Sequence, residues 1–138
     1  MGNGSMRDFN FLSDDGLVDA LLIEITGLLE ILIIGSINGS IDLLGLPLSA
    51  SCLVSLEQRL GKGEVVAVLT AAGKSEFRET NFPGVWWSSH ADETGRIVAM
   101  LIDVALIPQI LLADMEDVRA GHQRLIKATN FSLRRKSA

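Results

Sequence analysis

Three side chains in this 138-residue sequence have the chemistry of strong metal ligands, namely Cys52, His90 and His122. They lie far apart in the sequence, and none belongs to a Cys-x-x-Cys or His-x-x-x-His pair. A zinc ion or an iron–sulfur cluster held by protein ligands alone needs about four such groups. The sequence therefore predicts no metal site and no cofactor.

Nucleophilic catalysis has one local candidate, the run Ser88-Ser89-His90. Adjacent residues of a strand point to opposite faces, so Ser89 and His90 cannot form a dyad. Ser88 and His90 share a face, but the sequence indicates no acid that would orient the imidazole. Cys52 lies among leucines without a basic neighbour that would favour its thiolate. We therefore predict no catalytic residue.

Charge and hydropathy exclude two further classes of function. The formal net charge of −5 is unfavourable for binding nucleic acid, whose phosphates require a basic surface. The segment 17–34 is rich in Leu and Ile, but Asp19, Glu24 and Glu30 interrupt it. Because one acid at a bilayer centre costs about 2.5–3.5 kcal/mol, we expect a helix buried by a sheet or a second subunit, not a membrane span. The single cysteine gives no sign of an oxidising compartment, so we predict a cytoplasmic location.

The periodicity of apolar residues predicts an α+β fold. Helical spacing and capping residues predict helices at 14–35, 49–60 and 114–128, while alternation between turn signals predicts strands at 64–71, 75–82, 84–91 and 95–105. Short loops between these strands favour a four-stranded antiparallel sheet, packed by the long N-terminal helix and additional helices. A short strand at 41–44 could extend one edge. We predict a flexible leader at 1–13, one domain at 14–130 and a flexible basic tail at 131–138.

The turn Pro83-Gly84 separates the second and third predicted strands, and two tryptophans follow it. Proline presets φ near −65° and glycine accepts positive φ, so this dipeptide is a strong turn signal. Trp86 and Trp87 must point to opposite faces of their strand. We expect one to enter the core and the other to meet solvent, a helix or a partner.

Three segments in a fixed order resemble one known protein family. They are Ile41-Asp42-Leu43 with Leu46-Pro47-Leu48-Ser49, then Leu60-Gly61-Lys62-Gly63-Glu64-Val65, then Glu79-Thr80-Asn81-Phe82-Pro83-Gly84-Val85-Trp86. With their flanks, which cover about residues 14–128, they are similar to the C-terminal module of the HupH/HyaF hydrogenase expression/formation proteins. One departure is Trp87, which stands where relatives usually carry a basic residue.

This resemblance implies a non-enzymatic, chaperone-like accessory factor in the maturation of nickel–iron hydrogenases. The implied partner is a hydrogenase subunit precursor, most simply the iron–sulfur small subunit. The predicted partner-binding residues are those in which the resemblance is densest, namely Glu79, Thr80, Phe82, Pro83, Gly84, Val85 and Trp86.

We also predict a homodimer, because the first helix has more apolar circumference than a four-stranded sheet can cover. Two alternatives stay open. One is a homodimeric protein-interaction module without a hydrogenase partner, and the other is a small enzyme that uses Arg78, Glu79 and His90.

Overall fold

The structure, a computed structural model, describes residues 14–137. The predicted leader at 1–13 lies outside the described residues. The chain divides into two compact units that meet in sequence after Pro108. The first unit holds two helices and all the strands, and the second unit holds a short 3₁₀ helix and the last α-helix.

The first unit begins with the predicted long helix, α1, at Asp14–Gly35. It continues with β1 at Gly39–Asp42, α2 at Ala50–Leu60, β2 at Val66–Ala71, β3 at Gly73–Glu79, β4 at Val85–Ala91 and β5 at Ile97–Val104. The strands form one sheet in the order β1-β5-β4-β3-β2, and every neighbouring pair is antiparallel. The α+β class is therefore confirmed, but the sheet has five strands where four were predicted.

The fifth strand is β1, which pairs with β5 at one edge of the sheet. The prediction of a short strand at 41–44 was displaced by two residues, because Asp42 ends the strand. The Asp42 carboxylate accepts hydrogen bonds from the backbone N–H groups of Leu44 and Gly45, both at 3.1 Å. This local turn, typical of aspartate, prevents the chain from continuing as a strand.

The helices α1 and α2 cover one face of this sheet. The Ser49 hydroxyl caps α2 by accepting from Cys52 N at 3.1 Å, and Gly61 ends the helix with φ of 69°. The shared core contains Val18, Leu21, Ile25 and Leu32 of α1, Cys52, Leu56 and Leu60 of α2, Leu43, and the strand residues Ile41, Val85, Trp87, Ile102 and Val104. Within residues 14–137, every helix falls short of the combined length and hydropathy that a bilayer span requires.

The second unit contains the 3₁₀ helix at Gln109–Leu111 and α3 at Met115–Ser137. Asp114 starts α3, since its carboxylate accepts from Glu116 N at 2.7 Å and its carbonyl accepts from Val118 N at 3.0 Å. The predicted helix end at 128 was wrong. Residues 129–137 contain neither proline nor glycine, and basic residues are favoured near the C-terminus of a helix.

Candidate functional site

The connection between β3 and β4 is a tight turn built around Pro83 and Gly84. Val85 N donates to Phe82 O at 2.9 Å, which closes a four-residue turn. Gly84 has φ of 89°, the value that the third position of a type II turn requires. The proline-glycine pair therefore forms the turn that its sequence predicts.

Thr80, which precedes this turn, stabilises it through hydrogen bonds of both its backbone and its side chain. Its backbone N–H donates to Val85 O at 2.9 Å, and its hydroxyl accepts from Phe82 N at 3.2 Å. The same hydroxyl lies 3.3 Å from Phe82 O, to which it donates. Because Thr80 is buried, these bonds are shielded from competing water, so the backbone on both sides of Pro83 is held in one conformation.

The turn is also tied to three other elements of the first unit. Asn81 N donates to Leu60 O, the last residue of α2, at 3.0 Å, and Ala105 N, just after β5, donates to Gly84 O at 2.9 Å. A Cβ atom on Gly84 would lie 3.6 Å from Leu32 Cδ2 of α1, which is ordinary van der Waals contact. The turn is thus a junction between both helices and the ends of three strands.

The two tryptophans point to opposite faces of β4, as predicted, but both are buried. Trp87 is 6% exposed and packs in the core beneath the helices, while Trp86 is 3% exposed on the other face. The Trp86 indole N–H donates to Ala105 O at 3.2 Å, which satisfies its one polar group inside the protein. Trp87 is thus the tryptophan that enters the core, as expected for one of the two. The sequence did not indicate the burial of Trp86, because its acceptor comes from a residue 19 positions later.

The seven predicted partner-binding residues divide into an accessible and a buried group. Phe82, at 49% exposure, and Pro83 are exposed, and Glu79 is half-buried. The buried group comprises Thr80, Gly84, Val85 and Trp86. The buried residues can position the turn, but only Glu79, Phe82 and Pro83 offer area to another molecule.

Two apolar residues that the sequence interpretation missed lie next to this turn. Leu106 and Ile107 follow Ala105, whose N–H is bonded to Gly84, and Leu106 is 83% exposed. The signal in the sequence was the apolar run Ala105-Leu106-Ile107, which continues past the end of β5 without a polar residue. We call Glu79, Phe82, Pro83, Leu106 and Ile107 together the turn surface.

The sheet face opposite α1 and α2 carries a row of polar side chains. His90 Nδ1 and Ser75 Oγ share a hydrogen bond of 2.8 Å, and Ser88 Oγ donates to Asp103 Oδ2 at 2.5 Å. Asp103 is the acid that the sequence did not indicate beside Ser88. It binds the serine instead of His90, and Ser88 is fully buried, so the row does not form an accessible Ser-His-Asp arrangement.

The residues of the enzyme alternative are not brought together either. Glu79 lies opposite Trp86 in the sheet and shares its face with His90, whereas Arg78 lies opposite Trp87 on the helix-covered face. There the Arg78 guanidinium contacts Glu57 Oε1 at 2.9 Å and Glu76 Oε1 at 3.3 Å. This arginine therefore links β3 to α2.

The three potential metal ligands belong to three different elements. Cys52 is buried in α2, His90 lies on β4, and His122 belongs to α3 in the other unit. In the part of the chain that the structure describes, no three His, Cys, Asp or Glu side chains are arranged to hold a metal ion.

Comparison with known proteins gives consistent results. Residues 18–131 match the family described as HupH hydrogenase expression protein, C-terminal conserved region. The chain is 32% identical over 85 residues to the hydrogenase expression/formation protein HupQ of Azotobacter chroococcum mcd 1, and 29% identical over 86 residues to HoxQ of Azotobacter vinelandii. Each alignment covers 62% of this chain but 30% of the relative, so the match spans less than a third of these proteins.

A solved structure shares the fold. The hydrogenase expression protein HupH from Thiobacillus denitrificans ATCC 25259 superposes with a TM-score of 0.80 at 36% sequence identity. The superposition covers 83% of this chain and 96% of that chain.

Proposed function

Because the chain belongs to the family of HupH hydrogenase expression proteins, we propose that it is a non-enzymatic accessory factor in nickel–iron hydrogenase maturation. In this proposal it acts as a chaperone-like protein in the cytoplasm. Its client is a hydrogenase subunit precursor, the iron–sulfur small subunit. The observation that carries the proposal is the match of residues 18–131 to the conserved region of this family.

The turn surface is the proposed client-binding site. Phe82 and Leu106 present apolar area on a backbone that hydrogen bonds hold in place, so little conformational entropy is lost when a partner binds. Glu79 adds one carboxylate that can pair with a basic residue of the client. An apolar patch with a polar margin on a rigid support is typical of a protein-binding surface.

Co-purification from a hydrogenase-expressing host tests this proposal. The wild-type chain should retain the small-subunit precursor, and Phe82→Ala should weaken the complex by about thirty-fold, since truncation of an aromatic interface anchor costs about 2 kcal/mol. Because half of the Phe82 side chain is exposed, the variant should melt close to the parent. Leu106→Ala should weaken capture in the same direction.

Val98→Ala is the matched control. Val98 is an exposed apolar residue of β5, near the end of the sheet where Ala91 pairs with Ile97, opposite the end where Val85 pairs with Val104. It should leave capture unchanged. Parental capture by the Phe82 and Leu106 variants would remove the turn surface from the proposal, and no capture by the wild type would favour an interaction module without a hydrogenase client.

We further propose that the chain forms a homodimer through α1. Ile23, Ile31, Ile33 and Ile34 are exposed on this helix, and Ile34 is 86% exposed. Isolated exposed apolar residues are common, but Ile23, Ile31 and Ile34 lie within about 80° of one another around the helix and make a patch that favours a second apolar surface. A second copy of the chain supplies such a surface through two-fold symmetry.

Light scattering tests the dimer. The wild type should have about twice the 14.9 kDa chain mass, and the double change Ile23→Lys and Ile34→Lys should give a folded monomer. The double change to leucine at the same positions is the control and should stay dimeric. A monomeric wild type across a wide dilution range, or a dimeric lysine variant, would rule out this interface.

A further inference from the structure

The outermost strand β2 has a free edge among the described residues. The sheet ends at β2, which pairs only with β3. Glu79 N donates to Val65 O at 2.9 Å, and the register continues without a shift from the Val66–Arg78 pair to the end of β2. In an antiparallel pair, inward and outward backbone groups alternate along the strand. The N–H and C=O groups of Val66, Val68 and Thr70 therefore point away from β3.

This edge lacks the features that protect sheet edges in proteins. From Val65 to Ala71 the strand contains neither a charged residue nor proline, and Val66 and Val68 have exposed side chains. The opposite edge differs, since β1 has four residues and ends where the Asp42 carboxylate caps the following turn. Of the two sheet edges within residues 14–137, β2 is therefore the one that offers an extended, uncharged row of hydrogen-bonding groups.

A depression lies along one side of α2. Its volume is about 410 Å³, and it is lined by Val54, Glu57, Gln58, Gly61 and Lys62. Glu57, at one margin of the depression, reaches Arg78 of β3, and Arg78 pairs in register with Val66 of β2. The remaining lining residues of α2 face away from its buried side, so these contacts place Glu57, and not the depression as a whole, near the edge.

The local charge indicates what such a strand should carry. Arg78 is shared between Glu57 and Glu76. Lys74 of β3 lies on the same face, since residues 74, 76 and 78 alternate with the residues of the other face, so neither sign of charge is in excess there. The main row of contacts should be uncharged, because Val66 and Val68 border it.

The β2 edge also adjoins the turn surface. Glu79 belongs to the turn surface, and its N–H binds Val65 at the start of β2. The edge is six residues long, about 20 Å at the usual rise per residue. One strand of this length is small beside the roughly 1,200–2,000 Å² that stable interfaces bury, so it suits a transient partner better than a permanent subunit.

We propose that the outer edge of β2 binds an extended segment of the client as a sixth strand of the sheet. The segment is apolar at alternate positions over about six residues. This inference rests on the proposed function for the identity of the client. It adds the form in which the client is recognised, which is an unfolded and extended segment.

Hydrogen exchange at single-residue resolution tests the inference, with the purified small-subunit precursor as the probe. In the free chain, the outward amides of Val66, Val68 and Thr70 should exchange rapidly, while those of Ala67 and Leu69 are already protected by β3. In the complex, the three outward amides should slow by about tenfold or more, as expected for new backbone hydrogen bonds.

A proline substitution provides the second measurement. Val68→Pro removes an outward N–H that makes no bond to β3, so the fold should persist while client affinity falls about tenfold, the effect of one or two lost hydrogen bonds. Ser40→Pro is the matched control, because the Ser40 N–H points outward from β1 at the protected edge. Val68→Thr keeps the shape and the N–H and should bind like the parent.

The outcomes separate this inference from the proposed function. If the precursor binds but the three amides remain fast and Val68→Pro binds normally, the β2 inference is wrong and the function stands. If no precursor binds, both fall. If protection of these amides grows with the concentration of the chain alone, the occupant is a second copy. If the protection disappears when residues 1–13 are removed, the occupant is the chain's own N-terminus. Either result overturns the assignment of the edge to the client.

Discussion

Gly84→Ala should destabilise the protein because of backbone conformation and not because of a clash. Gly84 has φ of 89°, a conformation that costs an L-residue with a side chain about 1–2 kcal/mol. The added methyl group itself would find room, since its nearest neighbours would be Leu29 Cδ2 and Leu32 Cδ2 at 3.6 Å and Ala105 O at 3.7 Å. The whole expected loss therefore comes from the type II turn.

Gly27→Ala is the matched control and should change stability in the opposite direction. Gly27 lies inside α1, and a Cβ atom there would have nothing within 4 Å. Alanine is favoured over glycine in a helix by about 0.5–1 kcal/mol, so this variant should be more stable than the parent.

Urea unfolding monitored by tryptophan fluorescence measures both effects. With an m-value of about 2 kcal/mol/M, the midpoint should fall by about 0.5–1 M for Gly84→Ala and rise by about 0.25–0.5 M for Gly27→Ala. An unchanged midpoint for Gly84→Ala would refute the type II turn as the support of the turn surface. A loss well above 2 kcal/mol would show that the packing against α1 is tighter than the distances indicate.

Three further changes have defined outcomes. Trp87→Ala should lower the free energy of unfolding by about 3–5 kcal/mol in urea titrations, because it empties a buried site beneath the helices. Arg78→Gln should cost about 1 kcal/mol, and less in 1 M salt, because Glu57 loses its partly shielded partner. The Thr94 hydroxyl donates to Asp92 at 2.6 Å and, as the largest of several effects, holds the pKa of Asp92 below its ordinary value. A carboxyl group with a depressed pKa stabilises the folded state at pH values above its ordinary pKa of 3.8, and this contribution is lost as the pH falls through its pKa in the folded state. Thr94→Val should therefore raise the pKa of Asp92 in an NMR titration and reduce the loss of stability in acid.

Local sequence signals predicted the elements that local interactions determine. The bounds of α1 agree with the predicted 14–35 because the helix follows from apolar spacing along one segment. Ser49 caps α2 and Gly84 adopts positive φ, both as expected from residue type. These features depend on residues within a few positions of one another.

The features that were missed depend on contacts between distant segments. The burial of Trp86 requires the carbonyl of Ala105, and the bond between Ser88 and Asp103 requires the register of β4 against β5. The alternation of side chains along one strand predicts which residues share a face, but it does not predict which strand lies beside them. The accessible part of the candidate site therefore includes fewer residues of β3, β4 and their turn than were predicted, and it also includes Leu106 from the segment after β5.

The most direct test of the central claim is the affinity of the purified chain for the purified small-subunit precursor, measured by titration calorimetry. We predict saturable binding at one precursor per chain, weakened by about thirty-fold in Phe82→Ala and unchanged in Val98→Ala. Absence of binding by a folded wild-type chain, or equal affinity for both variants, would contradict it.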